Sequence, residues 1–485
     1  MIAAVCQVVR TYTSSPTSTL NHRRLVPPAR VRHLGYGATV HRTDQIIDFV
    51  HDTKAADIPA SAMAWGRRCL LDLIGVAAAG RATELSRIIN DHAAAHFGPG
   101  AVEAPLLFDG RVASPAGAAL AAGMTIDAID AHDGHRLTKG HTGAHQLPAL
   151  LAFTNAEGLT DSRGFLTSLV VGYEFATRAG IALHTSVPDY HTSGAWGAVG
   201  AAALGARLLG LDRQTTFEAM GIGEYHGPRS QMMRVIDHPT MLKDGSGWGA
   251  MAGVSAAYLA ADGFTGAPAV TISSPEVANV WDDLGSRWII EDQYFKPYPV
   301  CRWAQPAVEA ALAIVAEHDV RADSVLRIEV HTFHEACRLA TALPTTTEQA
   351  QYSLPFPVAA AVVRGRLGGA EVGDSALADP AIRRLAAAIE MIEDDEHNRA
   401  FPARRYARVV VELAGGERLA SSDHEPQGEP ESSLSDAKMR RKFATYSTPA
   451  LGSQRAAKIE TLVDDVAEGT SLELLLSELS TAVNL

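Results

Sequence analysis

From Thr43 to about residue 285, apolar segments of helical period follow one another with almost no strand signal between them, so this half of the chain has to pack helix on helix. Thr43 is placed to cap a helix carrying Ile46, Ile47, Phe49 and Val50. A second helix starts near Pro59 and runs through Leu70, Leu71, Leu73, Ile74 and Val76 to Gly80. The same periodicity predicts helices near 85–96, 114–130, 146–156, 162–183, 194–210, 213–221 and 248–262. Gly194, Gly197, Gly200 and Gly205 leave one helix face nearly bare of side chains. No strand precedes them, so they read as close helix packing and not as a phosphate-binding loop.

After Asp283 the pattern changes. SRWIIEDQYFKPYPV reads as extended, and Leu326, Ile328 and Val330 alternate with polar residues as in a half-buried strand. Helices follow near 303–317 and 353–366, and Gly415-Gly416 joins strand candidates 408–413 and 418–422 into a hairpin. Ser435 caps a return to helix, with further helices near 454–466 and 471–482. These last amphipathic helices need an apolar partner that a small sheet cannot wholly supply, so they are expected on the first domain. The expected fold class is mainly α, with a large, discontinuous all-helical domain (44–285 and 434–485) and a smaller α+β domain (286–433).

Composition narrows the partners. Hydrophobic residues make up 47% of the 485, enough for a real core, and the net charge of −13 argues against nucleic acid or an anionic membrane surface. The longest uncharged apolar stretches, such as 194–206, fall short of the roughly 20 residues that a membrane span needs. Cys6, Cys69, Cys301 and Cys337 form no CxxC pair, so no disulfide framework, zinc cassette or iron-sulfur cassette is written here, and a reducing compartment fits best. Residues 1–43 contain six Arg and no Asp or Glu. We expect a disordered tail and a cytoplasmic protein, or a mitochondrial one if that tail is a transit peptide.

Between Asp127 and His145 the chain reads DAIDAHDGHRLTKGHTGAH, three aspartates and four histidines flanked by Ala- and Leu-rich helices. Carboxylates and imidazoles are the side chains that move protons near neutral pH, and apolar surroundings shift their pKa values toward that task. A solvated helix end would also be rich in Asp and His, so density alone does not make a site.

Order and spacing of further motifs do. DAHDGHRLTKGHTGAHQLPALLA, Tyr190-His191-Thr192-Ser193-Gly194, Met241-Leu242-Lys243, FKPYPVC from Phe295 to Cys301, and AQYSLPFPVAAA from Ala350 to Ala361 resemble five successive landmarks of the MmgE/PrpD family. That family includes 2-methylcitrate dehydratase, cis-aconitate decarboxylase and iminodisuccinate epimerase. The resemblance implies a helical domain with an α+β lid, a site between them, a homodimer and no cofactor. It also implies Asp130, His141, His191, Lys243 and Lys296 as the catalytic set, with His135, Thr138, Arg302 and Tyr352 as candidate substrate contacts. Such groups suit making or breaking a C–H bond beside a carboxylate: an imidazole moves the proton and the lysines stabilise the ene-diolate.

The chain departs from the family pattern in four places. Gly134 stands where a Thr is common, one extra residue separates Asp130 from His141, Gln305 replaces a His, and Phe356 replaces a tyrosine. These departures leave the reaction class intact and put the best-known substrates in question. A metal site has two candidate spacings, His132-x-x-His135 and His331-x-x-His334-x-x-Cys337; a strand running into a turn would disperse the second, and none is expected. The expected activity is that of a cofactor-free lyase, dehydratase ahead of decarboxylase, on a small di- or tricarboxylate. An epimerase using the same carbanion and a non-catalytic binding protein are the alternatives.

Overall fold

The computed structural model describes residues 36–483. The expectation for the N-terminal tail therefore falls mostly outside the described residues. The chain is mainly α, a large helical domain with a smaller mixed one, as the periodicity implies. The first helix spans Tyr36–Asp52, so Thr43 lies inside it and is not its cap. YGATVHR ahead of Thr43 contains no helix breaker after Gly37, which lets the helix extend backwards.

The centre of the large domain is built from Pro115–Asp127, Gly143–Ala156 and Ser193–Leu208, whose residues are almost all buried, and from Ser246–Ala261, which buries one face. Ala and Gly predominate in them, and this sets how near their axes come. A Cβ placed on Gly249 would lie 2.4 Å from the carbonyl oxygen of Gly194 and 2.6 Å from its Cα, so the two helices meet backbone to backbone. The contact falls near both N-termini. It thereby brings the turn before Ser246, which carries Lys243 and Asp244, against the turn before Ser193.

The second domain carries a four-stranded sheet in the order Ile389–Glu393, Val325–Thr332, Ala407–Leu413, Arg418–Ala420. The first pair is parallel and the other two antiparallel, with Val330 opposite Met391 on one side and Val409 on the other. Along Val325–Thr332 the buried residues alternate, and Gln305–His318, Pro355–Arg364 and Pro380–Ala387 pack on the sheet to close a second core. The stretch 286–300, expected to be extended, forms only a 3-10 turn at Ile289–Asp292 and a two-residue strand at Gln293–Tyr294. That strand pairs with Gly134–His135, so its partner is a loop of the helical domain and not the sheet.

The chain then returns. Asp436–Leu451 packs on Ala60–Gly80, and Met439, Phe443, Ile459, Leu462 and Leu475 join the core of the helical domain. Within that apolar interface Lys442 donates to the Asp72 carboxylate and, at 2.7 Å, to the carbonyl of Ala131. The C-terminal helix thus holds the first residue after Asp130 from below.

Removing one member of a buried ion pair strands the other charge in a low-dielectric interior. Lys442→Ala should therefore lower stability by about 3–5 kcal/mol in chemical denaturation, and Asp72→Asn combined with Lys442→Met should recover most of it. A loss below about 1 kcal/mol for Lys442→Ala would mean that the pair does not anchor the C-terminal helix.

Candidate active site

The site grows from the irregular segment that follows the helix Pro115–Asp127. Its backbone doubles back so that His141 Nδ1 sits 2.5 Å from the carbonyl oxygen of Asp133 and the amide of His141 donates to Ser193 Oγ at 2.9 Å. Ser193 is itself fixed by Asp244, which accepts from both its hydroxyl and its backbone N–H. The close helix contact at Gly194 and Gly249 therefore sets where His141 stands.

A carbonyl oxygen only accepts, so Nδ1 of His141 carries the proton and Nε2 presents its lone pair. Nε2 lies 3.8 Å from Asp130 Oδ1, with the edge of the His132 ring packed against the imidazole at 4.2 Å between centroids. Burial, then Lys296 and then His132 hold the His141 pKa well below the usual histidine value, against the opposing pull of Asp130. This imidazole is neutral and basic at one defined nitrogen.

Asp130 is held from two sides. Lys296 Nζ donates to its Oδ1, and its backbone N–H donates to the side-chain oxygen of Gln351 at 2.9 Å. Burial alone would raise its pKa, but Lys296, His141 and Lys243 overcome that and keep the carboxylate far below the ordinary range. Lys243 donates to the same Gln351 oxygen at 2.6 Å and lies over the Tyr352 ring at 4.8 Å. Burial lowers the Lys243 pKa, with Asp130 and Asp127 pulling the other way. Its backbone is left-handed, φ +51°, an uncommon conformation for a residue with a Cβ.

These groups border a cavity between the two domains. Asp130, His141, Lys296, Tyr352 and Arg302, all expected in the site, line it, and Lys243 stands beside it through Gln351 and Tyr352. Three further expected residues, His191, Thr138 and His135, are not among those lining it. His191 forms an isolated bridge with Gln231 and is absent from the cavity wall, with its Nδ1 on the Asp189 carbonyl. Its neighbour Tyr190 lines the cavity, and both rings approach His184, at 5.6 Å for Tyr190 and 6.5 Å for His191. Thr138 is fully buried and closes its own loop, donating to the His135 carbonyl and accepting from the Gly140 amide. His135 is absent from the cavity wall; burial and then Arg136 push its pKa down to about 3.

Arg302 lines the cavity but is engaged elsewhere: Glu429, Gln305 and the Gln427 carbonyl take its hydrogen bonds. Gln305 in turn bonds the carbonyls of Tyr298 and Val300, closing the KPYP turn, so it is a structural residue here. Phe356 is buried in the core of the second domain. A Cβ on Gly134 would fall 2.5 Å from the Tyr294 hydroxyl, so this glycine makes room for a phenol that lines the cavity.

Gln351, Tyr190, Tyr294, Lys139 and Arg405 belong to the site and were not singled out in the sequence. Lys139 sat inside the Asp127–His145 run and Gln351 inside the AQYSLPFP motif, so proximity was a usable signal for both. Nothing local marks Arg405.

Asp130, His132 and His141 bring one ligand atom each within 4.8 Å of one another, the one such three-residue group among the described residues. A divalent ion there would have to displace the Lys296 ammonium from Asp130 and compete with Asp127 for His132 Nε2, 3.0 Å away. The donor set already carries its cation. His331, His334 and Cys337 do not converge. A separate cleft of about 300 Å³ beside Pro105, Leu151 and Leu479 is lined by apolar residues with Asn155 and Ser480, and offers no acid or base.

Residues 44–279 match the MmgE/PrpD N-terminal domain and residues 298–468 match the MmgE/PrpD C-terminal domain. The cis-aconitate decarboxylase-like protein oryM of Aspergillus oryzae is 23% identical over 492 residues, which cover 90% of this chain and 97% of that protein.

The geometry fixes a tautomer. In ¹⁵N NMR of the histidine side chains, assigned with His141→Gln, His141 should remain neutral with Nδ1 protonated at pH 6 and should charge only as pH falls well below the ordinary histidine range. An imidazolium signature at pH 6 would contradict the assignment of His141 as a base.

Proposed function

The chain belongs to the MmgE/PrpD family, and on that footing we propose that it is a lyase acting on a small di- or tricarboxylate by proton transfer alpha to a carboxylate. The observation that carries the reading is a neutral imidazole, His141, set beside the Asp130–Lys296 pair in a cavity also bordered by Lys139, Arg302 and Arg405. An overall acidic protein that recognises an anion has to gather its cations locally, and this cavity does so.

In this mechanism His141 Nε2 takes the proton from the carbon next to a substrate carboxylate. The electron pair moves into that carboxylate, and the ene-diolate gains negative charge that Lys296 and Lys243 stabilise more than the ground state. Asp130, a firm carboxylate, fixes Lys296 and does not serve as the acid. Collapse of the ene-diolate with loss of a β-hydroxyl, protonated as it leaves, completes a dehydration. Decarboxylation runs through the same electron sink: the C–CO₂ bond breaks and the resulting carbanion takes up a proton. The oryM relative, named as cis-aconitate decarboxylase-like, supports this reading at the level of reaction type. In dehydration the proton that His141 Nε2 has taken is available for the departing hydroxyl, so that water leaves and the imidazole returns to its neutral form.

An NMR screen of citrate, 2-methylcitrate, cis-aconitate and amino-dicarboxylate analogues in deuterated buffer tests the proposal. The expected result is deuterium exchange with formation of an unsaturated or decarboxylated product, reduced about 10²- to 10⁴-fold by His141→Gln. Inversion with exchange and no unsaturated product would identify an epimerase instead. No exchange with any compound, or full exchange by the His141 variant, would overturn the reading.

A further inference from the structure

The electrostatics of the cavity divide it into two poles. Lys296 pairs with Asp130 beside His141 in one part of the wall, and Arg302 and Arg405 gather around Glu429 in another. One pole carries the proton chemistry and the other is a cluster of guanidinium groups.

Within that cluster Arg302, Arg136 and Arg405 converge on Glu429. Arg302 takes the carboxylate at 2.8 Å, while Arg136 and Arg405 stand off at 3.7 and 3.9 Å. Arg136 has a second partner in Glu431, so three cations face two carboxylates. The unmatched charge is that of Arg405, which is 2% exposed, borders the cavity, and has Nε and Nη1 without any hydrogen-bond partner. Its remaining contact is a 3.5 Å approach of Nη2 to the Arg136 carbonyl. Two adjacent donors of a buried guanidinium fork are costly to leave unmade and match the two oxygens of a carboxylate. Arg302 cannot take that role, since its donors are engaged and its face rests on the Tyr294 ring at 4.4 Å.

We propose that Arg405 is the anchor for a second carboxylate of the substrate, remote from the carbon that His141 deprotonates, with the Tyr294 hydroxyl beside it. This rests on the lyase reading and sharpens it: the substrate carries at least two carboxylates, one for each pole. Arg405 and Arg302 come from the second domain, Asp130 and His141 from the first, so a two-headed anion also bridges the domains.

The test is binding of succinate, its monoamide succinamate, and tricarballylate by calorimetry at pH 7, to wild type, Arg405→Met and Arg405→Lys. Wild type should bind both polyacids about tenfold or more tightly than succinamate. Arg405→Met should erase that preference while leaving succinamate affinity within about twofold, which a merely structural defect would not do. Arg405→Lys, which keeps the charge without the fork, should recover part of the preference and serves if the Met variant does not fold. Equal affinity of wild type for succinate and succinamate, an undiminished preference in both variants, or no polyacid binding to wild type would overturn the assignment. Retained deuterium exchange by wild type alongside any of these results would remove the Arg405 role and leave the lyase reading standing.

Discussion

The ion pair between Asp130 and Lys296 organises the site. It joins a loop of the helical domain to the segment leading into the second domain, and both partners are buried. A carboxylate and an ammonium taken out of water cost more than their attraction returns unless other hydrogen bonds complete them. Lys296 also donates to the Asp130 carbonyl at 3.3 Å, and beside the pair Gln351 accepts from the Asp130 amide and from Lys243 and donates to the Ala128 carbonyl at 3.2 Å. Separating the domains would break all of these contacts, so one set of interactions positions the lysines and holds the cavity together.

Burial sets the state of His141 first, and Lys296 of this pair reinforces it. A histidine beside a carboxylate ordinarily becomes easier to protonate, but here the carboxylate is already matched by Lys296, and burial and the neighbouring His132 ring act in the other direction. The Asp133 carbonyl at Nδ1 then selects the tautomer. Beneath the loop, Asp72 and Lys442 form a second buried pair whose lysine also holds the Ala131 carbonyl. The C-terminal helices thus support the chemistry from the far side of the fold.

The helices of the large domain were legible because their apolar period is long and repeated, and Asp130, His141 and Lys296 because density and motif order coincide. What stayed hidden depended on distances that sequence does not encode. Tyr190 lines the cavity and its neighbour His191 does not. Arg302 and Arg405 are equivalent as residue types; Glu429, 127 positions from Arg302, together with Gln305 and the Gln427 carbonyl, engages the donors of Arg302 and leaves two of Arg405 unmatched. Gly134 is a departure from the family pattern in sequence, and only the fold brings the Tyr294 hydroxyl into the space that a Cβ there would take. Ile389–Glu393 showed no alternation because it is an edge strand whose residues are half-buried or exposed.

Burial and, after it, the Lys296 charge keep His141 a neutral base. The most direct measurement is the pH profile of substrate deuterium exchange in wild type and Lys296→Met. A positive charge near an imidazole lowers its pKa, and the base is active only above that pKa, so removing the charge should move the acid limb to higher pH as well as slow the reaction. A limb that stays in place, or moves to lower pH, would show that the pair does not govern the base and would contradict the account.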